Sequence, residues 1–88
     1  MKHASVATLS RLEPLLGHLR NCEPLREKKL GIFYRKAVAF LHFHEDPAGI
    51  LADLKVGTEW QRFRVSSQAE QRKFLTAVHK VLDLPSPP

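Results

Sequence analysis

The sequence has very little cysteine. Cys22 is the only one among 88 residues, which excludes an intrachain disulfide and a cysteine-rich zinc site. Cys22 follows the end of a predicted helix, where a small buried residue is expected more often than a reactive thiol. A chain of this length forms one domain with one thin apolar core.

Long apolar runs are also missing. No stretch approaches the roughly 18 apolar residues of a membrane span, and the opening "MKHASVATLSR" lacks the apolar segment of a signal peptide. We therefore expect a cytoplasmic protein without membrane contact. We expect a single α+β domain over 1–84 and a frayed C-terminal tail, "PSPP", at 85–88.

Acidic residues are fewer than basic ones. Lysine and arginine number 14 against 9 aspartate and glutamate, which gives a net charge of +5. This balance favours an acidic partner, such as nucleic acid, an anionic metabolite or an acidic protein. The densest basic group consists of Arg26, Lys28, Lys29, Arg35 and Lys36. We expect Arg26, Lys28 and Lys29 to lie on a solvated loop, with anion binding as the second interpretation.

The residue patterns predict two helices and four strands. Ser10 and Ser67 each precede a glutamate by three residues, the spacing of a capping box, and open helices at "SRLEPLLGHLRN" and "SSQAEQRKFLTAVHKVLDL". Strand-like segments lie at 28–34, 37–44, 50–56 and 60–65. The simplest arrangement is a two-layer, four-stranded antiparallel sheet in the order α-β-β-β-β-α, with both helices on one face.

Two turns fix the register of the predicted sheet. Asp46 and Gly49 suit the ends of a type I turn, and Gly57 suits the first position of a type II′ turn. Because side chains alternate between faces, the predicted core-face pairs are Leu41–Leu54, Phe43–Ala52 and Ala39–Val56. The other face pairs His42–Asp53, Phe40–Lys55, His44–Leu51, Asp53–Arg62 and Lys55–Trp60. We also place Leu30, Ile32, Phe63 and Val65 in the core and Phe33 and Val38 on the other face.

The face away from the helices is the predicted binding surface. It is aromatic at one end and carries the charged row His42–Asp53–Arg62 at the other. No third layer remains to cover it, so an exposed aromatic patch there indicates a partner. The candidate binding residues are Phe40, His42, His44, Asp53, Lys55, Trp60, Arg62 and Arg64.

Several functions fit this face. We favour a small non-catalytic module that binds nucleic acid by base stacking on aromatic residues and contacts from basic residues to phosphates. The alternative is a homodimeric structural or protein-interaction domain, whose two sheets would bury the aromatic residues.

A small enzyme is the third interpretation of the same face. His42 and Asp53 have the pairing of an acid–base couple, but no nucleophile accompanies them. His42 and His44 have the spacing of two metal ligands, with Asp53 or Glu45 as a third. Since the turn and the cross-strand pair already explain these residues, we predict no metal and no cofactor.

The segment "KAVAFLHFHEDPAGILADLKVG" resembles the small MmcQ/YjbR-type bacterial proteins. The matching residues, about a quarter of the chain, are Lys36, Phe40, Pro47, Gly49, Leu54 and Lys55. The resemblance implies a two-layer α/β fold related in shape to frataxin-like domains, and a role in DNA binding.

Overall fold

The computed structural model describes residues 2–85. Their strands are β1 Lys2–His3, β2 Leu25–Lys29, β3 Ile32–Arg35, β4 Val38–Asp46, β5 Gly49–Val56 and β6 Glu59–Arg64. Their helices are α1 Val6–Ser10, α2 Glu13–Arg20 and α3 Gln68–Val81. The predicted α+β class and antiparallel sheet are confirmed, whereas the predicted four strands and two helices are too few. Of the predicted tail at 85–88, all but Pro85 lies outside the described residues.

The sheet runs in the order β2-β3-β4-β5-β6, and β1 also pairs with β4. All of these pairs are antiparallel. The predicted strand at 28–34 is in fact a hairpin, because the chain turns at Leu30 and Gly31. Gly31 adopts a φ of +76°, which glycine tolerates best, and its N–H donates to Glu27 Oε2 at 2.8 Å. Leu30 is exposed at this turn and not in the core.

The β3–β4 connection differs most from the prediction. Lys36 and Ala37 form the turn with φ of +52° and +66°, as in a type I′ turn. The register then shifts, since Phe33 pairs with Leu41 but Tyr34 pairs with Ala39, and Phe40 is the extra residue of a β-bulge.

The shift reverses the predicted faces at this edge of the sheet. Phe33 and Phe40 are buried in the core, at 0% and 5% exposed, whereas the alternation predicts both on the opposite face. Ile32, predicted in the core, pairs with His42 and therefore lies on the opposite face of the sheet from the core. Val38 is exposed, at 53%.

The predicted register of β4, β5 and β6 is confirmed from Leu41 onwards. The observed pairs include Leu41–Leu54, His42–Asp53, Phe43–Ala52, His44–Leu51, Asp53–Arg62 and Lys55–Trp60. The predicted pairs of Ala39 and Phe40 with β5 do not form, because the ladder between β4 and β5 ends at Leu41–Leu54, beside the bulge. Asp46 closes its turn as expected, since its Oδ1 accepts from the N–H groups of Ala48 and Gly49. The register that the turns impose therefore sets which polar residues meet across these strands.

The helix predicted from Ser10 is two helices. Ser5 caps α1, because its Oγ accepts from Thr8 N, whereas Ser10 Oγ donates to Val6 O and caps nothing. Pro14 lacks an N–H and its ring would clash with the carbonyl of Ser10 in a continuous helix, so α2 begins anew at Glu13. The predicted capping box of α3 is confirmed: Ser67 Oγ accepts from Glu70 N, and Glu70 Oε1 accepts from Ser67 N.

The core lies between the helices and one face of the sheet. Its fully buried large side chains are Leu12, Leu16, Leu19, Phe33, Leu41, Leu54, Val65, Phe74 and Val78. α2 contacts β2 at one edge of the sheet, while α3 contacts β6 at the other edge and also α2. The predicted layer of two helices on one face is thus too simple, because the extra hairpin widens the sheet. None of the helices in 2–85 has the length and apolar character needed to cross a membrane.

Candidate functional site

The site lies on the sheet face that carries the row His42–Asp53–Arg62, which we call the polar face. Cross-strand pairing aligns these three residues on β4, β5 and β6. Alternation along each strand adds further side chains to the same face. These are Arg26 and Lys28 on β2, Tyr34 on β3, His44 on β4, Lys55 on β5, and Trp60 and Arg64 on β6.

Asp53 is the buried centre of the polar face, at 6% exposed. Arg62 holds its carboxylate with two hydrogen bonds, from Nε to Oδ1 at 2.9 Å and from Nη2 to Oδ2 at 3.1 Å. His44 Nε2 lies 3.1 Å from Oδ2. Burial alone would raise the pKa of Asp53, but the hydrogen bonds and charge of Arg62, with the two histidines, outweigh burial and lower it. Asp53 is therefore an ionised group at neutral pH.

Three imidazoles gather beside this carboxylate, and we call His3, His42 and His44 the histidine cluster. Ring centroids are 4.7 Å apart for His42 and His44 and 4.9 Å apart for His3 and His44. Strand β1 places His3 there, because His3 pairs with His44. The sequence pattern does not reveal His3, since a two-residue strand has no periodicity that could place it on this face.

His42 has an unusual environment within the cluster. Its Nδ1 is buried and has no hydrogen-bond partner among residues 2–85, and it lies 3.9 Å from Asp53 Oδ2. Burial lowers the pKa of His42, and the neighbouring His44 lowers it further, against the opposing charge of Asp53. The imidazole of His42 is therefore neutral at pH 7.

Two cation–aromatic pairs lie on the polar face. Lys55 Nζ lies 5.6 Å from the ring centroid of Trp60, and Lys28 Nζ lies 4.8 Å from that of Tyr34. Trp60 is 43% exposed and its ring centroid lies 4.7 Å from that of His42. Tyr34, Lys28 and Arg26 thus lie on the same face as most of the predicted site residues.

Six of the eight predicted site residues meet on this face: His42, His44, Asp53, Lys55, Trp60 and Arg62. Arg64 lies at its end, where Nη2 donates to Ala48 O at 3.0 Å and Nε lies 3.5 Å from Glu70 Oε2. Phe40 does not join them, because the β-bulge places it in the core beneath the Arg35 guanidinium. Glu45, which the spacing offers as a metal ligand, instead accepts from Ser5 N.

The described clefts do not include the centre of the polar face, although one of about 240 Å³ is lined by Lys55 together with Phe40 and Val81. One of about 380 Å³ is lined by residues of α2 and α3, including Leu15, His18, Arg72 and Leu75. Cys22 is buried as predicted, and burial raises the pKa of its thiol. Its Sγ lies 3.3 Å from His18 O and 3.4 Å from His79 Nε2. A thiol with a raised pKa is a poor nucleophile, so this pair does not favour an enzyme.

Comparison of the chain with protein-family models, with curated proteins and with solved structures gave no match. The resemblance to MmcQ/YjbR-type proteins therefore stays a prediction.

Proposed function

We propose that this protein is a non-catalytic module that binds single-stranded nucleic acid on the polar face. The observation that carries the proposal is the pair of cation–aromatic contacts, Lys55 with Trp60 and Lys28 with Tyr34, on the same face of the sheet. Proteins that bind single strands combine such aromatic platforms for bases with cations for the backbone.

Charge supports this ligand class. Arg26, Lys28 and Lys55 are basic residues of the face, and none of the ion pairs among residues 2–85 involves them. Asp53, the acid at the centre, is already paired with Arg62. The face therefore attracts phosphate, and the release of counterions from the nucleic acid adds to the binding free energy.

Shape supports an extended ligand. Trp60 projects from β6 and Tyr34 lies on β3, so the two aromatic rings stand on strands that β4 and β5 separate. An exposed face of this kind can accept successive unstacked bases, and stacking makes few demands on base identity. We expect weak sequence preference and preference for single strands over duplexes.

Charge reversal on the polar face tests the proposal. We expect Lys28→Glu and Lys55→Glu to weaken binding of a fluorescently labelled oligonucleotide of about 12 nucleotides, within the site sizes that single-strand binders cover, measured by anisotropy at low salt. Lys73→Glu, on the exposed side of α3, makes the same charge change away from the face and is the matched control. Equal weakening in all three variants would contradict binding at this face, because net charge alone would then explain the affinity.

A further inference from the structure

We propose that His42, His44 and Asp53 bind a divalent transition-metal ion of the zinc, cobalt and nickel class. Each offers one ligand atom, and the three atoms lie within 4.8 Å of one another. This inference is independent of nucleic-acid binding, since it depends on the centre of the polar face and not on its basic rim.

The distances suit a metal after a small adjustment. His44 Nε2 lies 3.1 Å and His42 Nδ1 lies 3.9 Å from Asp53 Oδ2. Ligand bonds of about 2.0–2.1 Å in a tetrahedral zinc site place ligand atoms roughly 3.3 Å apart. His42 and His44 are two residues apart on one strand, and Asp53 is directly opposite His42. The strand register therefore places all three side chains on one face, with their ligand atoms within 4.8 Å of one another.

The set of ligands determines the metal class. Imidazole suits zinc, copper, iron and nickel, whereas magnesium and calcium prefer oxygen alone. Two imidazoles and one carboxylate also leave a coordination position open. His3, whose ring lies 4.9 Å from that of His44, is the neighbouring imidazole available for this position.

The unpartnered nitrogen of His42 distinguishes this cluster from an ordinary cross-strand pair. Buried polar atoms nearly always have a hydrogen-bond partner, yet His42 Nδ1 has none among residues 2–85. A metal ion beside Asp53 Oδ2 would satisfy this nitrogen.

Arg62 competes for the same carboxylate. Its Nη2 donates to Asp53 Oδ2, the oxygen nearest to both imidazoles, so a bound metal has to displace that hydrogen bond. The Arg62 side chain is 47% exposed and is free to turn towards solvent. We therefore expect Arg62→Gln to bind the metal more tightly than the wild type, because a competing cation is lost.

Calorimetric titration of the tag-free, chelator-treated full chain with Zn²⁺ tests the site. We expect one ion per chain in the wild type and roughly tenfold or greater weakening in His44→Gln, since even residues that only support metal ligands contribute 10–100-fold. His18→Gln removes an exposed imidazole from α2 and is expected to bind like the wild type. Circular dichroism checks that each variant is folded.

A second measurement needs no variant. Because the Trp60 ring lies 4.7 Å from that of His42, Cu²⁺ in this site is expected to quench Trp60 fluorescence. A chelator that removes the Cu²⁺ is expected to restore the emission, since Cu²⁺ binds such ligands too tightly for Zn²⁺ to displace it. Absence of quenching, absence of wild-type zinc binding, or zinc binding that His44→Gln leaves intact would each overturn the proposal.

Discussion

At the residue scale, Asp53 determines the character of the polar face. A buried carboxylate normally needs several partners, and this one has Arg62 and His44 within hydrogen-bond distance. The sequence predicted the pairing with His42 and Arg62, because the turns at Asp46 and Gly57 fix the register. It could not show that His44 turns its Nε2 towards the same carboxylate, since side-chain orientation depends on packing.

Trp60 is the residue on which the proposed stacking depends most. We expect Trp60→Ala to cost about 1–3 kcal/mol of binding free energy for a single strand, the usual contribution of one stacked base. Because Trp60 is already 43% exposed, the variant should remain folded. Anisotropy titration measures the affinity, and circular dichroism the fold.

Val6→Ala is the control for this substitution, because Val6 is an exposed apolar residue of α1, at 69%. It should leave affinity unchanged. If Trp60→Ala binds as tightly as Val6→Ala, base stacking on Trp60 is not part of the interaction.

At the element scale, α2 is joined to β2 by an ion pair. Arg20 Nε lies 2.6 Å from Glu27 Oε1, and Arg20 Nη1 lies 2.6 Å from Glu13 Oε1. Burial tends to raise the pKa of Glu27, but hydrogen bonds from Arg20 and from Gly31 N outweigh it and lower the pKa below its usual value. A carboxylate with a lowered folded-state pKa stabilises the fold at pH values above its unfolded pKa of about 4.3. This stabilisation is lost as the pH falls through the folded-state pKa.

We therefore expect Glu27→Gln to be less stable than the wild type at pH 7 by about 1 kcal/mol, as for a charged hydrogen bond that is partly exposed. The difference should shrink as pH falls below the unfolded pKa of about 4.3 and through the lowered folded-state pKa of Glu27. Urea unfolding from neutral to acidic pH measures both effects. Glu23→Gln, at an exposed position, is the control, and an unchanged difference at low pH would contradict this role of Glu27.

The β2–β3 hairpin depends on its glycine. A Cβ at Gly31 would lie 2.7 Å from Leu9 Cδ2, and the φ of +76° is strained for alanine. We expect Gly31→Ala to lower the free energy of unfolding by about 1–3 kcal/mol. Gly17, within α2, differs, because nothing lies within 4 Å of the position that a Cβ would occupy there.

Gly17→Ala is therefore expected to raise stability by about 0.5–1 kcal/mol, since alanine favours helix over glycine. Thermal unfolding of the two variants compares them directly. Equal changes in stability would mean that neither the positive φ nor the closeness of Leu9 restricts the residue at position 31.

The elements that the sequence predicted are those with strong local signals. The α3 capping box and the turns at Asp46 and Gly57 contain residues that prefer those conformations. The Lys36–Ala37 turn contains none of the usual turn residues, and no residue pattern marks the bulge at Phe40, so alternation alone predicts the wrong face for Phe33 and Phe40. The hairpin at Gly31 was not predicted, because apolar residues stand on both sides of Gly31 and the segment 28–34 therefore resembles one continuous strand.

At the scale of the whole molecule, the sheet separates two environments. The apolar core occupies one side, and the polar face on the other side carries cations, the rings of Tyr34 and Trp60 and the histidine cluster. The net charge of +5 indicates an anionic ligand but does not indicate on which surface of the protein it binds. The register shift at Phe40 brings Tyr34 onto the face that carries Trp60, and Lys28 lies over the Tyr34 ring from the neighbouring strand.

The most direct test of nucleic-acid binding at the polar face uses the single tryptophan of the chain. Single-stranded and duplex DNA and RNA of mixed sequence are titrated against Trp60 fluorescence at several salt concentrations, after the mass in solution is recorded. We predict that single strands change the emission and that affinity falls steeply with salt, as counterion release requires. Unchanged emission, already shifted to the blue and accompanied by a dimeric mass, would contradict nucleic-acid binding at this face, because a second copy of the chain would then cover it.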